Sequence, residues 1–120
     1  MLNLDTHVVV YALKGDLRRR ERVLLSGDSW AVAAIVLWEL AKLVQLKRIA
    51  LDLDDPTVVD ALSRIQVLPL DLEVARASTA LDFRGDPADE LIAATSIVHR
   101  IPLVTRDRRI LKSRIVPIAR

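Results

Sequence analysis

Short apolar runs alternate along the chain with segments in which apolar residues recur every three or four positions. A short apolar run bounded by polar residues, Gly or Pro predicts a buried strand, whereas the longer spacing predicts a helix. The runs predict four strands and a candidate short fifth, at residues 2–4, 29–34, 67–70, 101–105 and 114–119. The spacing predicts six helices, at residues 6–14, 16–26, 35–48, 56–65, 71–81 and 87–99.

Strands that alternate with helices and are too apolar to face water indicate an α/β fold with a mostly parallel central sheet. No internal repeat, low-complexity stretch or linker interrupts the pattern, so we expect a single domain over residues 1–120. Ligands of such folds bind beyond the carboxyl ends of the strands. Functional residues are therefore expected at that edge of the sheet.

Composition narrows the class of protein. Hydrophobic residues make up 52% of the chain, yet no apolar run approaches the roughly 20 residues that a membrane span needs. There is no recognisable signal peptide and no cysteine, so disulfides and thiolate metal sites are excluded and we expect a soluble cytosolic protein. Aromatic residues, at 3%, are too few for a base-stacking platform. Arg outnumbers Lys, which favours a phosphate-bearing partner.

Four acidic residues stand where topology allows them to meet. Asp5 follows the first predicted strand, and Asp107 follows the fourth in the sequence PLVTRD. Glu39 interrupts AIVLWELAKL, a helix that is apolar nearly all round, so we expect it to be buried. Asp89 occupies the first turn of the helix in PADELIAATSIVHR, with small residues on its face. These positions bring two acids to strand ends and two more to helices beside the same edge.

Each acid taken alone also has an ordinary structural role. Asp5 can cap the following helix, Asp89 can complement a helix dipole, and Asp107 can cap or turn the chain. Glu39 can pair with Lys42 on a narrow polar stripe. These separate roles do not account for the combination of the four acids.

Four carboxylates that converge need a compensating charge. Two carboxylates about 4 Å apart repel by roughly 4 kcal/mol at an effective dielectric constant near 20, which destabilises a small domain or forces protonation. A divalent cation removes this repulsion, and oxygen ligands without His or Cys favour Mg²⁺ or Mn²⁺ over zinc. Such an ion activates water and steadies a phosphate. The acids therefore predict phosphodiester hydrolysis.

Four motifs in the chain resemble those of a known family. The stretches LDTH, LWEL, DPADELIAATS and PLVTRD have the order and spacing of PIN domains, and most resemble the VapBC toxin ribonucleases of bacteria and archaea. The resemblance implies a three-layer α/β/α sandwich around a mostly parallel sheet. It also implies that Mg²⁺ or Mn²⁺ is bound, and RNA cleaved, by the acidic quartet Asp5, Glu39, Asp89 and Asp107.

The same resemblance implies partners and a compartment. Toxins of this kind cut a restricted set of structured RNAs, often transfer or ribosomal RNA, and a cognate antitoxin holds them inactive. They commonly dimerise, so we expect a homodimer in a bacterial or archaeal cytoplasm, with no membrane association. Ala88 and Glu90 depart from the family, whose similar members carry an aromatic and a basic residue there. We expect that departure to affect substrate choice and antitoxin fit.

Most of the residues beside the quartet have two interpretations. Active-site support is expected from Thr6, Thr105 and Asp86, although Thr6 and Asp86 are also suited to helix caps. Three arginines next to Asp107 either hold RNA phosphates or form a salt-bridged turn. They are Arg106, Arg108 and Arg109.

The densest basic cluster is the stretch RRRER at residues 18–22. It is either a solvated face, an RNA contact or a contact for an acidic antitoxin segment, and the sequence does not choose among them. His7 is expected to pack at the start of its helix. Trp30 and Trp38 are assigned to the core or to an interface.

Two other functions remain open on the sequence. A PIN-like domain can bind nucleic acid or a partner without cutting, although the intact quartet argues against this. A receiver-like signalling domain shares the α/β layout and a metal-binding acid cluster. It requires a Lys after a later strand, where this chain has Arg106 and where Lys112 is too far on.

Overall fold

The computed structural model describes residues 1–120, which form four strands and seven helices. The strands are β1 (Leu2–Leu4), β2 (Trp30–Ala33), β3 (Gln66–Leu68) and β4 (Leu103–Val104). The helices are α1 (Thr6–Lys14), α2 (Arg19–Ser26), α3 (Ala34–Gln45), α4 (Pro56–Ser63), α5 (Leu72–Ser78), α6 (Pro87–His99) and α7 (Arg108–Leu111).

The four strands form one sheet in the order β3-β2-β1-β4, and every neighbouring pair is parallel. Leu4 of β1 pairs with Val104 of β4, so the next residue of each strand, Asp5 and Thr105, lies at the same carboxyl edge. The predicted α/β class with a parallel sheet is confirmed. Because of this strand pairing, side chains 100 positions apart in the sequence meet at one edge of the sheet.

Helices cover both faces of the sheet, as the burial of β1 shows. Leu2, Asn3 and Leu4 are 6%, 0% and 0% exposed, although successive side chains of a strand point to opposite faces. The Asn3 amide donates to the carbonyl of Ile92 at 3.3 Å and to the Ser96 hydroxyl at 2.9 Å, so α6 packs on that face. This arrangement matches the expected three-layer sandwich.

Asp and Pro residues define where most helices begin. Side chains of four aspartates accept backbone N–H bonds at the first turns of α1, α4, α5 and α7, and these residues are Asp5, Asp55, Asp71 and Asp107. Proline opens α4 and α6, where its missing N–H has no helical partner to lose. Gly15 ends α1 with a left-handed φ of 74°, which glycine adopts without steric cost.

The expectation that the helix carrying Glu39 is buried on all sides is wrong. Val36 and Leu40 of α3 are fully buried, but Leu37 is 40% exposed and Trp38 is 55% exposed. The sheet and its neighbouring helices cover one stripe of α3, because a helix on the outside of a three-layer fold has a second face. Trp38 is thus a surface residue, whereas Trp30 packs against the core.

At the end of the chain, one expected strand is corrected and one unexpected helix is found. The candidate fifth strand at residues 114–119 is reduced to an isolated parallel bridge between Ile118 and Leu103. The short helix α7 was not predicted from the sequence, because its four residues are too few to show a helical period. No helix of the chain has the length and apolar character needed to cross a membrane.

Candidate active site

A cavity of about 260 Å³ opens at the carboxyl edge of the sheet, and we call it the acidic cavity. Its lining contains all four predicted acids and a fifth, supplied by β1, α3, α6 and the chain after β4. The lining residues are Asp5, His7, Val8, Tyr11, Glu39, Asp86, Asp89, Arg106 and Asp107. The chain therefore brings together acids that are up to 102 positions apart in its sequence.

Two threonines fix the carboxylates of the first two acids. The Asp5 Oδ1 atom accepts the backbone N–H of Thr6 at 2.8 Å, and its Oδ2 atom accepts the Thr105 hydroxyl at 2.6 Å. The Thr6 hydroxyl donates to Oε1 of Glu39. Asp5 is therefore both a helix cap and a cavity acid. Lys42 bonds to Gln45 instead of Glu39, so the surface-pair alternative for Glu39 is not observed.

The remaining acids belong to two helix starts. Asp107 caps α7 by accepting the backbone N–H groups of Arg109 and Ile110 at 2.8 and 3.2 Å. Asp86 occupies the cap position of α6, but its side chain makes no capping bond and lines the cavity instead. The predicted Asp86 cap is thus a cap by position only.

Gly85 lies in the loop before α6, next to Asp89 and Arg109. A Cβ atom at this position would lie 3.6 Å from the Asp89 Cβ and 3.3 Å from Nη1 of Arg109. The Arg109 Nη1 atom donates to the carbonyl oxygen of Arg84 at 2.6 Å, which ties the same loop to α7. The contact with Asp89 would be an ordinary van der Waals contact, and the closer one would involve only the flexible end of Arg109.

The electrostatics of the acidic cavity show negative charge that the protein does not neutralise. Burial raises the pKa of Asp5 and also that of Glu39. Burial, and then the charges of Asp5, Glu39 and Asp107, raise the pKa of Asp89 to about 7. Neutral threonine and backbone donors offset only part of this cost. The site therefore favours protons or a cation.

The acids of the cavity offer the ligand chemistry of a hard divalent ion. All five acids offer oxygen ligands, which suit Mg²⁺ or Mn²⁺ and not soft ions. No three of them, and no other three His, Cys, Asp or Glu residues, lie close enough together to form a ready metal-ligating group. Magnesium sites commonly use one or two carboxylates with waters and substrate phosphates. The donor chemistry and the excess charge fit such an ion.

A second buried carboxylate next to this cavity has a very different environment. Oε2 of Glu21 accepts Nε of Arg106 at 2.7 Å, and its Oε1 accepts Nη2 at 2.7 Å, a bidentate ion pair. Oε1 also accepts the backbone N–H of Arg18 at 2.7 Å. The Arg106 guanidinium lies 3.7 Å from the centre of the Tyr11 ring. These bonds, led by those from Arg106, hold the pKa of Glu21 below its ordinary value.

The three arginines predicted beside Asp107 therefore differ in what they can do. Arg106 is committed to Glu21, so of the two expectations for it the structure shows the salt-bridged one. Arg108 is exposed and makes no ion pair. Arg109 uses one nitrogen on the Arg84 carbonyl. Together with Lys112, Arg108 and Arg109 line a cavity of about 630 Å³ that shares Asp107 with the acidic cavity.

Sequence reasoning missed three residues of this region. His7 is exposed and lines the cavity, contrary to the expectation that it packs. Tyr11, four positions later on α1, lines the same cavity, and the Arg106 guanidinium lies over its ring. The spacing of His7 and Tyr11 after Asp5 is a helical-face signal that was available. The pairing of Glu21 with Arg106 had no sequence signal, because 85 positions separate the partners.

An all-parallel sheet covered on both faces, with carboxylates gathered at its carboxyl edge, defines an α/β protein with an acidic site at the strand ends. The family model described as "PIN domain" matches residues 3–114. The chain belongs to the PIN-domain family. This membership confirms the resemblance of the four motifs and removes the receiver-like alternative.

A named relative and several solved structures are similar to this chain. Ribonuclease VapC22 of Mycobacterium tuberculosis is 37% identical over 114 residues, covering 89% of this chain and 87% of that protein. A toxin–antitoxin complex from Klebsiella pneumoniae has a TM-score of 0.75 at 19% identity, over 99% of this chain and 97% of that one. VapBC from Salmonella typhimurium, bound to DNA, has a TM-score of 0.74 at 23% identity, over 99% and 98%. At these identities the two structures establish a shared fold.

Proposed function

We propose that the chain is a Mg²⁺- or Mn²⁺-dependent endoribonuclease that acts as the toxin of a toxin–antitoxin pair. The observation that carries the proposal is the acidic cavity, in which Asp5, Glu39 and Asp89 all have raised pKa values. Support comes from the relative named as a ribonuclease at 37% identity. An RNA phosphodiester is the substrate that such a site would hydrolyse.

In this mechanism the quartet of Asp5, Glu39, Asp89 and Asp107 would hold the ion. The bound ion would supply charge neutralisation at the phosphate and lower the pKa of the attacking water. The threonines act through the acids, because Thr105 holds one oxygen of Asp5 and Thr6 holds one of Glu39. Fixed carboxylates need little rearrangement when the ion and substrate arrive.

RNA phosphates on either side of the cleaved bond need positive partners. Arg108 and Arg109 stand immediately after Asp107 and line the neighbouring cavity of about 630 Å³. Their guanidinium groups are suited to bidentate contacts with phosphate oxygens. We assign the substrate-phosphate contacts of this loop to these two arginines, since Arg106 is already paired with Glu21.

RNA cleavage by the purified protein tests the proposal. Cleavage of transfer or ribosomal RNA should require Mg²⁺ or Mn²⁺, stop in EDTA, and fall by more than about a hundredfold in Asp5→Asn and in Asp89→Asn. Asp54→Asn is the matched control, because Asp54 is exposed in the loop before α4. Cleavage that survives Asp5→Asn and Asp89→Asn would show that the acids are assigned to the wrong reaction.

A second candidate is a PIN-like module that binds nucleic acid or a partner without cutting. One observation favours it, which is that no three acids form a ready metal-ligating group. Isothermal titration with Mn²⁺ separates the two candidates. RNA binding without metal binding or cleavage would select the binding module, whereas metal binding abolished by Asp89→Asn would select the nuclease.

The toxin role adds an antitoxin, a second copy and a compartment to the proposal. Solved neighbours named as toxin–antitoxin or VapBC complexes share the fold, and Leu37 and Trp38 offer an exposed apolar surface on α3 for a homodimer. We propose a single domain over residues 1–120 that works in a bacterial or archaeal cytoplasm. Induced expression should slow bacterial growth, and co-expression of the product of the adjacent small reading frame should restore it.

A further inference from the structure

A second cavity, of about 230 Å³, lies beside the acidic cavity and carries the opposite charge. Its charged lining consists of four arginines and one glutamate, and its remaining lining is largely apolar. The charged residues are Arg18, Arg20, Glu21, Arg106 and Arg108, and the apolar ones are Leu24, Val104, Leu111 and Ala119. We call this the arginine cavity.

The surplus positive charge of the arginine cavity comes from three side chains. Glu21 and Arg106 neutralise each other as a bidentate pair. The other ion pairs of the chain join the N-terminus to Asp28 and Arg64 to Asp60, so Arg18, Arg20 and Arg108 have no acidic partner. Three unpaired guanidinium groups around one small cavity repel one another. Such a cluster favours an anionic ligand.

The arginine cavity is adjacent to the acidic cavity, with which it shares a lining residue. Arg106 lines both of them, and Arg108 lines both the arginine cavity and the cavity of about 630 Å³. Negative charge at the acidic cavity repels every phosphate of an approaching RNA strand. Cationic cavities that border it offset this repulsion for the phosphates that are not being cleaved.

We propose that the arginine cavity binds the phosphate backbone of the RNA strand next to the cleaved nucleotide, through Arg18, Arg20 and Arg108. The inference rests on the proposed function and deepens it. Guanidinium groups form bidentate bonds with phosphate oxygens, and the apolar part of the lining is suited to the ribose or base of the same nucleotide. The arginine run at residues 18–22 thereby acquires a role that its sequence does not specify.

The same run supplies a matched control, because only part of it lines the cavity. Arg18 and Arg20 belong to the lining, whereas Arg19 and Arg22 do not. Arg22 instead donates from Nη1 to the carbonyl oxygen of Leu17 at 2.7 Å. Two double variants, Arg18→Ala with Arg20→Ala and Arg19→Ala with Arg22→Ala, therefore change net charge equally but only the first pair changes the cavity.

Binding is measured with a fluorescein-labelled, single-stranded RNA of 15 nucleotides, by anisotropy in EDTA over a range of salt concentrations. The cavity pair should lower affinity by about tenfold and reduce the slope of log affinity against log salt by about 1.4, since each phosphate contact contributes about 0.7. The control pair should leave both quantities near those of the parent protein. Equal losses in the two pairs, or no loss in the cavity pair, would overturn the inference.

Two additional measurements separate this inference from its rivals. A ten-residue polyglutamate peptide replaces the RNA: if the cavity pair weakens only peptide binding, the cavity is a protein-docking site and the inference is wrong. Cleavage of transfer and ribosomal RNA with Mn²⁺ is scored in parallel, because structured RNAs are the substrates of the proposed function. Arginine-dependent binding without cleavage would contradict the proposed function while supporting the cavity. Cleavage of RNA together with unchanged RNA binding in the cavity pair would support the proposed function and contradict the role of the arginine cavity.

Discussion

Glu21 and Asp5 have similarly small exposed fractions, 8% and 6%, but Asp5 lies deeper in the protein, and the pKa values of the two carboxylates shift in opposite directions. Arg106 holds the pKa of Glu21 below its ordinary value, whereas burial raises the pKa of Asp5, which has only neutral donors from Thr6 and Thr105. Depth and the charge of the hydrogen-bond partner together decide in which direction the pKa of each carboxylate moves. The fold pairs one acid with its own cation and leaves the other without a cationic partner.

The largest effect on stability is expected from removing the compensated acid. Glu21→Ala leaves the Arg106 guanidinium without its bidentate partner, and should lower the free energy of unfolding by about 3 kcal/mol in urea titrations. The control is Asp60→Ala, which breaks the exposed Arg64–Asp60 pair and should cost less than about 1 kcal/mol. Similar losses in both variants would mean that the two pairs do not differ as their burial indicates.

The uncompensated acids should respond to a divalent ion. Mn²⁺ at about 100 times its dissociation constant should raise the free energy of unfolding by about 2.7 kcal/mol, because it binds only the folded chain. Asp89→Asn should remove most of this gain, and Asp54→Asn, in the exposed loop before α4, should leave it unchanged. Thermal unfolding with and without EDTA provides the measurement. A gain that is unaffected by Asp89→Asn would place the ion elsewhere.

Metal-free protein should lose stability as the pH rises from about 4 to about 7. The pKa of Asp89 is about 7 in the folded chain and 3.8 in the unfolded reference, so the folded chain binds more protons in this interval. The loss should be about 2 kcal/mol, less than the full shift implies because Asp89 is partly exposed. Asp89→Asn should flatten the profile measured by urea unfolding at each pH.

Glu21, which is paired with Arg106, should affect the free energy of unfolding at the acid end of the same pH range. Because the pKa of Glu21 is lowered from 4.5, its stabilising contribution is present above that value and is lost as the pH falls below it. In Glu21→Gln the decline at low pH should be smaller, while the decline toward pH 7 persists. If a single variant removed both declines, Glu21 and Asp89 would not act independently, contrary to this prediction.

The smallest expected effect concerns a neutral donor to Asp5. Thr105→Val removes the hydroxyl that bonds to Oδ2 of Asp5 at 2.6 Å and should cost about 1 kcal/mol. It should also raise the pKa of Asp5 further, which NMR titration of the carboxyl carbon would detect. Thr79→Val is the control, because its hydroxyl bonds only to an exposed backbone carbonyl. Equal pKa values for Asp5 in both variants would show that the Thr105 bond is unimportant.

Much of the site followed from local sequence pattern, because strand ends in a parallel sheet share one edge. Asp5 and Asp107 follow apolar runs, and Asp89 opens a helix marked by Pro87. Glu39 stood out as a charge in an apolar helix, although the burial predicted for that helix was wrong on the side of Trp38. These predictions needed only the class of fold.

The features that escaped prediction depend on contacts distant in sequence. The bond between Glu21 and Arg106 requires α2 to pack beside the end of β4, and nothing in RRRER specifies which of its charges turns inward. The division of the arginines at residues 18–22 into cavity and surface positions has the same origin. A list of charges does not contain the sheet order that brings them together.

Asn3 joins β1 to α6 inside the core, next to the acidic cavity. Its amide bonds β1 to Ile92 and Ser96 of α6, two residues before Asp5 and on the helix that carries Asp89. Movement of α6 by one helical turn, about 5.4 Å, would break both bonds. An uncharged side chain outside the cavity thus helps to hold the strand that precedes Asp5 and the helix that carries Asp89 in place relative to each other.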